Sequence, residues 1–264
     1  MGLLQVVARL VGVVAVLVGT TALLIVGPQR LRETWHSLPD RLRRTGVPLG
    51  GLGAVLVVNG AVRDAGVDLS WLVGINITGN IYAVEGAFVA ALQSVATPTL
   101  TAAFSAIYVY GYVFLLVFPL VAYLAADDPT PLRTTAIAYA LNYVGGLACY
   151  VVFIAYGPRN FIPELVEPLL YTSWPESQLL TSRVNHNTNV FPSLHSSLSI
   201  TVVGLAALWR DLYPNWLYLA APLGTAVSVS TMYLGIHWAV DVVAGAALGV
   251  GSVAGARLLT RRLE

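Results

Sequence analysis

The chain has 264 residues, 57% of them hydrophobic and only 10% charged, with a mean hydropathy of +0.74. A soluble domain carries roughly 25% charged residues, so a water-facing globule is excluded, and the apolar content excludes a disordered chain as well. A net charge of +1 gives nucleic-acid binding no support, the absence of lysine among 14 basic residues removes Schiff-base and P-loop-lysine chemistry, and the single Cys149 removes disulfide or cysteine-metal frameworks.

A helix needs ~20 apolar residues to cross a bilayer core. Residues 3–26 meet that length. They lack the small-residue cleavage site of a removable signal peptide, and Val6 excludes myristoylation of the Met-Gly start. A polar loop follows over residues 27–46, carrying Arg30, Arg32, Arg41, Arg43 and Arg44, and residues 48–62 are a short apolar span. Residues 63–98 hold Asp64, Asp68, Asn76, Asn80, Glu85 and Gln93 among aliphatics. They read as a connection and then an amphipathic helix near the interface over residues 82–95, a further span being the alternative. Clean spans come next over residues 100–126, closed by Asp127-Asp128-Pro129, and 136–156. The last three are 194–209, 216–233 and 238–259. Trp209 and Trp216 bracket a turn with Arg210, Asp211 and Pro214, which is interfacial chemistry. The expectation is an all-α polytopic membrane helical bundle of about six to seven transmembrane helices and one interfacial amphipathic helix. Residues 1–264 would form a single integral-membrane domain, with the core over about 100–260 and less regular spans in 1–98.

Span parity places Arg133, Arg210, Arg257, Arg261 and Arg262 at one face, opposite the 157–190 loop that carries Arg159 and Arg183. If residues 82–95 do not cross, the five arginines of the first loop join them. The positive-inside rule then puts the 157–190 face outside the cytoplasm.

Ionisable residues in membrane segments are costly and mark function. His195 begins a helix in Pro192-Ser193-Leu194-His195. Pro192 suits a first turn, and the N–H groups there predict a phosphate cradle of Ser193, Leu194 and His195. His237 and Asp241, four apart, share a helix face. A carboxylate so placed accepts the imidazole N–H, fixes the tautomer and raises nucleophilicity. Parity brings His195, His237 and Arg159 to one membrane face. The competing readings are a structural His–Asp pair, a metal site lacking an obvious third ligand, and an Arg159 that snorkels to headgroups. His36 and His186 read as solvated, and Glu85 as facing the bundle interior. Phe104, Tyr108, Tyr110, Tyr112 and Phe114 read as packing or lipid contact.

At these residues the sequence resembles the type 2 phosphatidic-acid phosphatase superfamily. Its pattern is a Lys with a downstream Arg-Pro, then Pro-Ser-Gly-His, then Ser-Arg, five residues, His, three residues, Asp. Pro192-Ser193-Leu194-His195 matches the second part with Leu for Gly, and Ser230, His237 and Asp241 match the third with Thr231 for Arg. Gly157-Pro158-Arg159-Asn160 reverses the Arg-Pro order, and the family lysine is absent. Phe191-Pro192-Ser193-Leu194-His195-Ser196 and Ser230-Thr231-Met232-Tyr233-Leu234, with His237 and Val240-Asp241, look like the inositolphosphorylceramide synthase group.

The resemblance, carried by residues 139–249, implies a metal-independent lipid phosphatase or phosphotransferase without cofactor. His237 would form a phosphohistidine and Asp241 would orient it. His195 would protonate the leaving group and then activate water or a hydroxyl. Arg159 and the N–H groups near Ser193 would hold the phosphoryl oxygens, with Arg183 as the nearest substitute for the missing charge. The implied partners are a phospholipid or polyprenyl phosphate and the membrane lipids, in a multi-pass protein of the cell membrane with an extracytoplasmic site. A proton-coupled transporter and a catalytically inactive structural homologue are the alternatives. A transporter would spread polar residues to both faces, whereas here they cluster at one.

Overall fold

The computed structural model describes residues 2–181 and 187–263, and within these the side chains of Arg63, Asp64, Leu180, Thr181 and Leu263 are left aside. The described chain is an all-α bundle with one two-residue parallel strand pair. In order it forms α1 (Leu3–Ile25), α2 (Pro28–His36), α3 (Leu38–Val73), β1 (Ile75–Asn76), α4 (Thr78–Glu85), α5 (Phe88–Gln93), α6 (Pro98–Leu124) and α7 (Thr130–Val152). Then come β2 (Phe153–Ile154), α8 (Pro158–Phe161), α9 (Leu169–Ser173), α10 (Gln178–Thr181), α11 (Leu194–Leu208), α12 (Pro214–Tyr233) and α13 (Ala239–Leu263).

Among the described residues five helices are long and apolar enough to cross a membrane: α1, α3 over Leu38–Val62, α6, α7, and α13 over Ala239–Arg262. This is a multi-pass membrane protein. Among the described residues α11, with 15 residues, and the less apolar α12, with 20, complete seven traverses of the bundle. The ends are fixed by contacts. Arg41 and Arg30 meet Asp127 at 3.2 and 3.8 Å, and Arg30 also reaches the Tyr213 hydroxyl, which gathers the α1–α2, α6–α7 and α11–α12 connections at one end. At the other, β1 pairs with β2 and Trp238 Nε1 donates to Tyr156 O, which gathers the ends of α3, α7 and α12.

The polar stretch read as a loop over residues 27–46 is instead α2 and the start of α3. Its arginines sit among good helix formers, and Pro28 and Pro39 stand at helix starts, where a missing N–H costs nothing. Arg41 donates to the Leu124 and Ala126 carbonyls, closing the C-terminus of α6. The short span read over residues 48–62 is the middle of a 36-residue helix. Asp68 and its neighbours do not break it, and it ends only at Gly74. Pro48 does not break it either. A proline leaves the carbonyl four residues earlier unpaired, and that carbonyl, Arg44 O, accepts two bonds from the Arg133 guanidinium on α7 at 3.0 and 2.7 Å.

The single amphipathic helix read over residues 82–95 is two short helices, α4 and α5, divided at Gly86, where φ is +59°. Neither is long enough to cross. Their polarity is inverted relative to a water-exposed helix: Val84 and Phe88 point outward, while Glu85 and Gln93 bond to the protein. That arrangement suits a hydrocarbon boundary. Trp216, read as interfacial, is instead fully buried against Phe114 and Phe118, because α12 packs its first turn onto α6.

Below the histidine end, a buried polar chain fixes α7, α11 and α13. Asn142 donates to Thr201 at 2.9 Å, Ser197 donates to Asn142 at 2.7 Å, and Thr201 also reaches Gly249 O. With no water to compensate, a satisfied network of this kind specifies register. The same crossing is close because α13 carries Gly245 and Gly249 four apart. A Cβ at either would collide with the Ser193 or Ser197 carbonyl of α11, the small-residue contact that lets membrane helices approach.

Candidate active site

His237 sits in the five-residue turn between α12 and α13. Thr231 O accepts the Ile236 and His237 N–H groups at 3.0 and 3.1 Å, and Gly235 takes φ +73°. A side chain there would strain the backbone and meet Glu167 O. Gly157 lies so close to Ile236 O that a Cβ would collide with it, and Arg159 N donates to Gly235 O at 3.2 Å. Gly157-Pro158-Arg159 is thereby pressed onto the His237 turn, and the guanidinium shares its cavity. Burial and then the Arg159 charge hold His237 well below the usual imidazole range, so the ring is neutral with a nitrogen lone pair available.

Asp241, in the first turn of α13, is fully buried. Its Oδ2 stands 3.4 Å from His237 Nδ1 and accepts Trp238 N–H at 2.9 Å. With the Nδ1 proton assigned toward Asp241, Nε2 carries the lone pair, and the ring also meets the Val190 backbone. Asp241 O in turn accepts Ser193 N–H at 3.0 Å, which joins the starts of α11 and α13.

His195, in the first turn of α11, lies 6.3 Å from His237 between ring centroids. Tyr108 stacks on it at 4.5 Å and Tyr112 covers it at 4.3 Å. Arg159 Nη2 donates to the Tyr171 hydroxyl at 3.3 Å, and its Cζ lies 4.7 Å from the Tyr171 ring centre. Arg159 Nη1 is buried with no hydrogen-bond partner among the described residues. An unpaired buried guanidinium donor is costly and fits an anion. His195, His237 and Arg159 open on one cavity of about 1160 Å³, which runs from Tyr171 down to Leu10 of α1, Leu56 of α3 and Leu147 of α7.

The structure thus brings together four residues singled out in the sequence: His195, His237, Asp241 and Arg159. Ser193 is not at the cavity. It is fully buried as the N-cap of α11, accepting Ser196 N–H at 3.3 Å, with its own N–H given to Asp241 O. The N–H groups of Leu194 and His195 are the ones that helix geometry leaves for an anion. Arg183 lies outside the described residues. Thr231, where the family motif has Arg, is buried and bonds back to Ser228 O. Among the described residues no third His, Cys, Asp or Glu joins His237 and Asp241 at a metal-binding distance.

Sequence reasoning read Glu85 only as facing the bundle interior and gave Gln93 no role, and so missed what braces the His237 turn. Gln93 Nε2 donates to Tyr233 O and Glu167 O, each at 2.9 Å, and its Oε1 accepts Glu167 N–H. Glu85 Oε2 accepts Val240 N–H at 3.0 Å, at the start of α13. The signal was present, since both are polar residues on segments whose other faces are apolar. Burial raises the Glu85 carboxyl above its ordinary value, opposed by the Ala239 and Val240 N–H groups. A carboxyl raised on folding contributes stability below its unfolded value and loses it as pH rises through the folded one. Glu85→Gln keeps an acceptor without the charge. Its Tm in detergent is expected to exceed the parent's at about pH 8 and to match it at about pH 4. A constant difference at both pH values would refute a strained carboxylate.

No curated protein and no solved structure matches the chain. A family model, described as PAP2 superfamily, matches residues 83–255, which run from the last turn of α4 through the bulk of α13. That match covers well over half the chain and includes both histidine motifs, and the protein belongs to the PAP2, or type 2 phosphatidic-acid phosphatase, superfamily.

Proposed function

We propose that this protein is a lipid phosphatase or phosphotransferase that works through a phosphohistidine on His237. Membership of the superfamily supports phosphatase-type chemistry on a lipid. The observation that carries the finer reading is the pair of histidines at 6.3 Å over a cavity whose other end is apolar, with Arg159 lining the same cavity and its buried Nη1 donor unpaired among the described residues.

In the first step His237 Nε2 attacks phosphorus and the P–O bond to the leaving lipid breaks. His195 gives that oxygen a proton. Asp241 holds the Nδ1 proton and stabilises the charge the ring acquires. Arg159 and the first N–H groups of α11 bind the phosphoryl oxygens, where charge stabilisation is the main catalytic contribution. In the second step His195 takes a proton from the acceptor hydroxyl, whose oxygen displaces His237 from phosphorus. Water as acceptor gives hydrolysis. A lipid or polyol hydroxyl gives transfer, the outcome favoured by the resemblance to inositolphosphorylceramide synthases. The substrate is a phospholipid or polyprenyl phosphate with its tail between α1, α3 and α7.

The site faces outside the cytoplasm, on the positive-inside rule, because Arg30, Arg41, Arg44 and Arg133 gather at the opposite end. One preparation tests both points. Purified protein in sealed vesicles of known orientation, given phosphorus-labelled lipid phosphate from one side, is expected to acquire acid-labile, alkali-stable label. Its products are then surveyed with and without added alcohols. Label absent under all conditions refutes the phosphohistidine. Label acquired only when substrate reaches the arginine end refutes the orientation.

A further inference from the structure

The helix that faces His195 is irregular where it passes the ring. Residues Ile107–Gly111 of α6 form a π-helical turn, closed by Tyr112 N–H donating to Ile107 O. Such turns occur as single bulges and are frequent at functional sites. One extra residue rotates everything after it by about 100° relative to an unbroken α-helix. Gly111 makes room for the bulge, since a Cβ there would crowd Leu223 of α12. The outcome is that Tyr108 and Tyr112 lie on the imidazole of His195 together. Tyr108 is nearly parallel, at 4.5 Å and 23°, and Tyr112 is tilted, at 4.3 Å and 40°.

The groups facing His195 sharpen what this contact does. The turn before α13 contributes His237, α8 contributes Arg159, and α7 contributes the phenols of Tyr143 and Tyr150 at the same cavity. Asp241 Oδ2 is engaged by His237 and Trp238 N–H. Among the described residues no carboxylate bonds to His195. A general acid in such surroundings lacks the anionic partner that ordinarily favours its proton. The electron-rich faces of aromatic rings supply a neutral substitute, because they attract a cation held over them.

We propose that Tyr108 and Tyr112 are positioning residues for His195: the π-helical turn sets two aromatic faces against its ring, fixing the ring plane and favouring the protonated imidazole that gives the leaving lipid its proton. This rests on the phosphohistidine reading. The phenol hydroxyls are not needed for it, only the faces.

The test uses full-length protein in detergent and two substrates, an alkyl phosphate whose leaving oxygen must be protonated and a nitrophenyl phosphate whose leaving group needs no proton. Tyr108→Phe with Tyr112→Phe keeps both ring faces and serves as the reference for the fluorinated rings. Pentafluorophenylalanine keeps the ring's shape and reverses its electrostatics. At both positions it is expected to lower kcat on the alkyl phosphate by about 10- to 100-fold, a fraction of what a general acid contributes. The rate on nitrophenyl phosphate should fall by about threefold or less. The alkaline limb of the alkyl-phosphate profile, which reports loss of the acid's proton, should move to lower pH, and the His195 nitrogen NMR titration should move with it. Equal losses on both substrates, or an unmoved titration, would show that the rings only pack and would overturn the proposal. A parent that turns over neither substrate would overturn the underlying reading of function. The His195 titration then still reports, without turnover, whether the ring electrostatics act on that residue.

Discussion

His237→Ala is expected to turn over lipid phosphate at least on the order of 10⁴-fold more slowly than the parent, since removal of a nucleophile takes away the whole covalent route. It is also expected to retain no acid-labile label. The fold should survive. His237 makes its backbone bond to Thr231 O through N–H, and Asp241 keeps the Trp238 N–H. What the variant leaves is a buried carboxylate short of one partner, so a modest fall in Tm should accompany the loss. Substrate affinity should change little, because Arg159 and the start of α11 are untouched. A variant that labels and turns over like the parent would remove His237 from the mechanism.

His195→Asn is expected to fail differently. On an alkyl phosphate both steps slow, by about 10²- to 10⁴-fold, the range for a lost general acid–base. On a nitrophenyl phosphate the first step needs no proton, so it proceeds while the second, which still requires a base, stalls. Label should therefore accumulate toward one phosphate per protein, together with an equal burst of nitrophenol. The parent, with both steps fast, should hold less label at steady state. Two variants thus give opposite labelling from residues whose rings stand 6.3 Å apart. If His195→Asn gives no burst, its assignment as acid and base fails even where His237 stands.

The fold class and the convergence of four polar residues were legible because a membrane chain has few polar residues to explain. Spacing placed His237 four before Asp241, and parity alone brought Arg159 and His195 alongside. Where reading failed, a polar residue was satisfied by something distant in sequence. The arginines of residues 27–46 looked like a loop because their partners, Asp127 and the carbonyls of Leu124 and Ala126, lie on another helix. Ser193 looked like a ligand because its cap and its bond to Asp241 cannot be read from Pro-Ser-Leu-His. That Tyr108 and Tyr112 would pack on His195 in particular was not legible, because a π-helical turn has no composition of its own.

Pro48 carries one further consequence. In water, a carbonyl freed by proline would be solvated and would prefer no particular neighbour. Toward an apolar medium it must be matched by protein, and here the match is Arg133. The defect in α3 therefore acts as an index mark. Sliding α3 along α7 by a turn would strand a carbonyl and a guanidinium at once, so the gap in one helix's hydrogen bonding dictates which turn of its neighbour lies opposite.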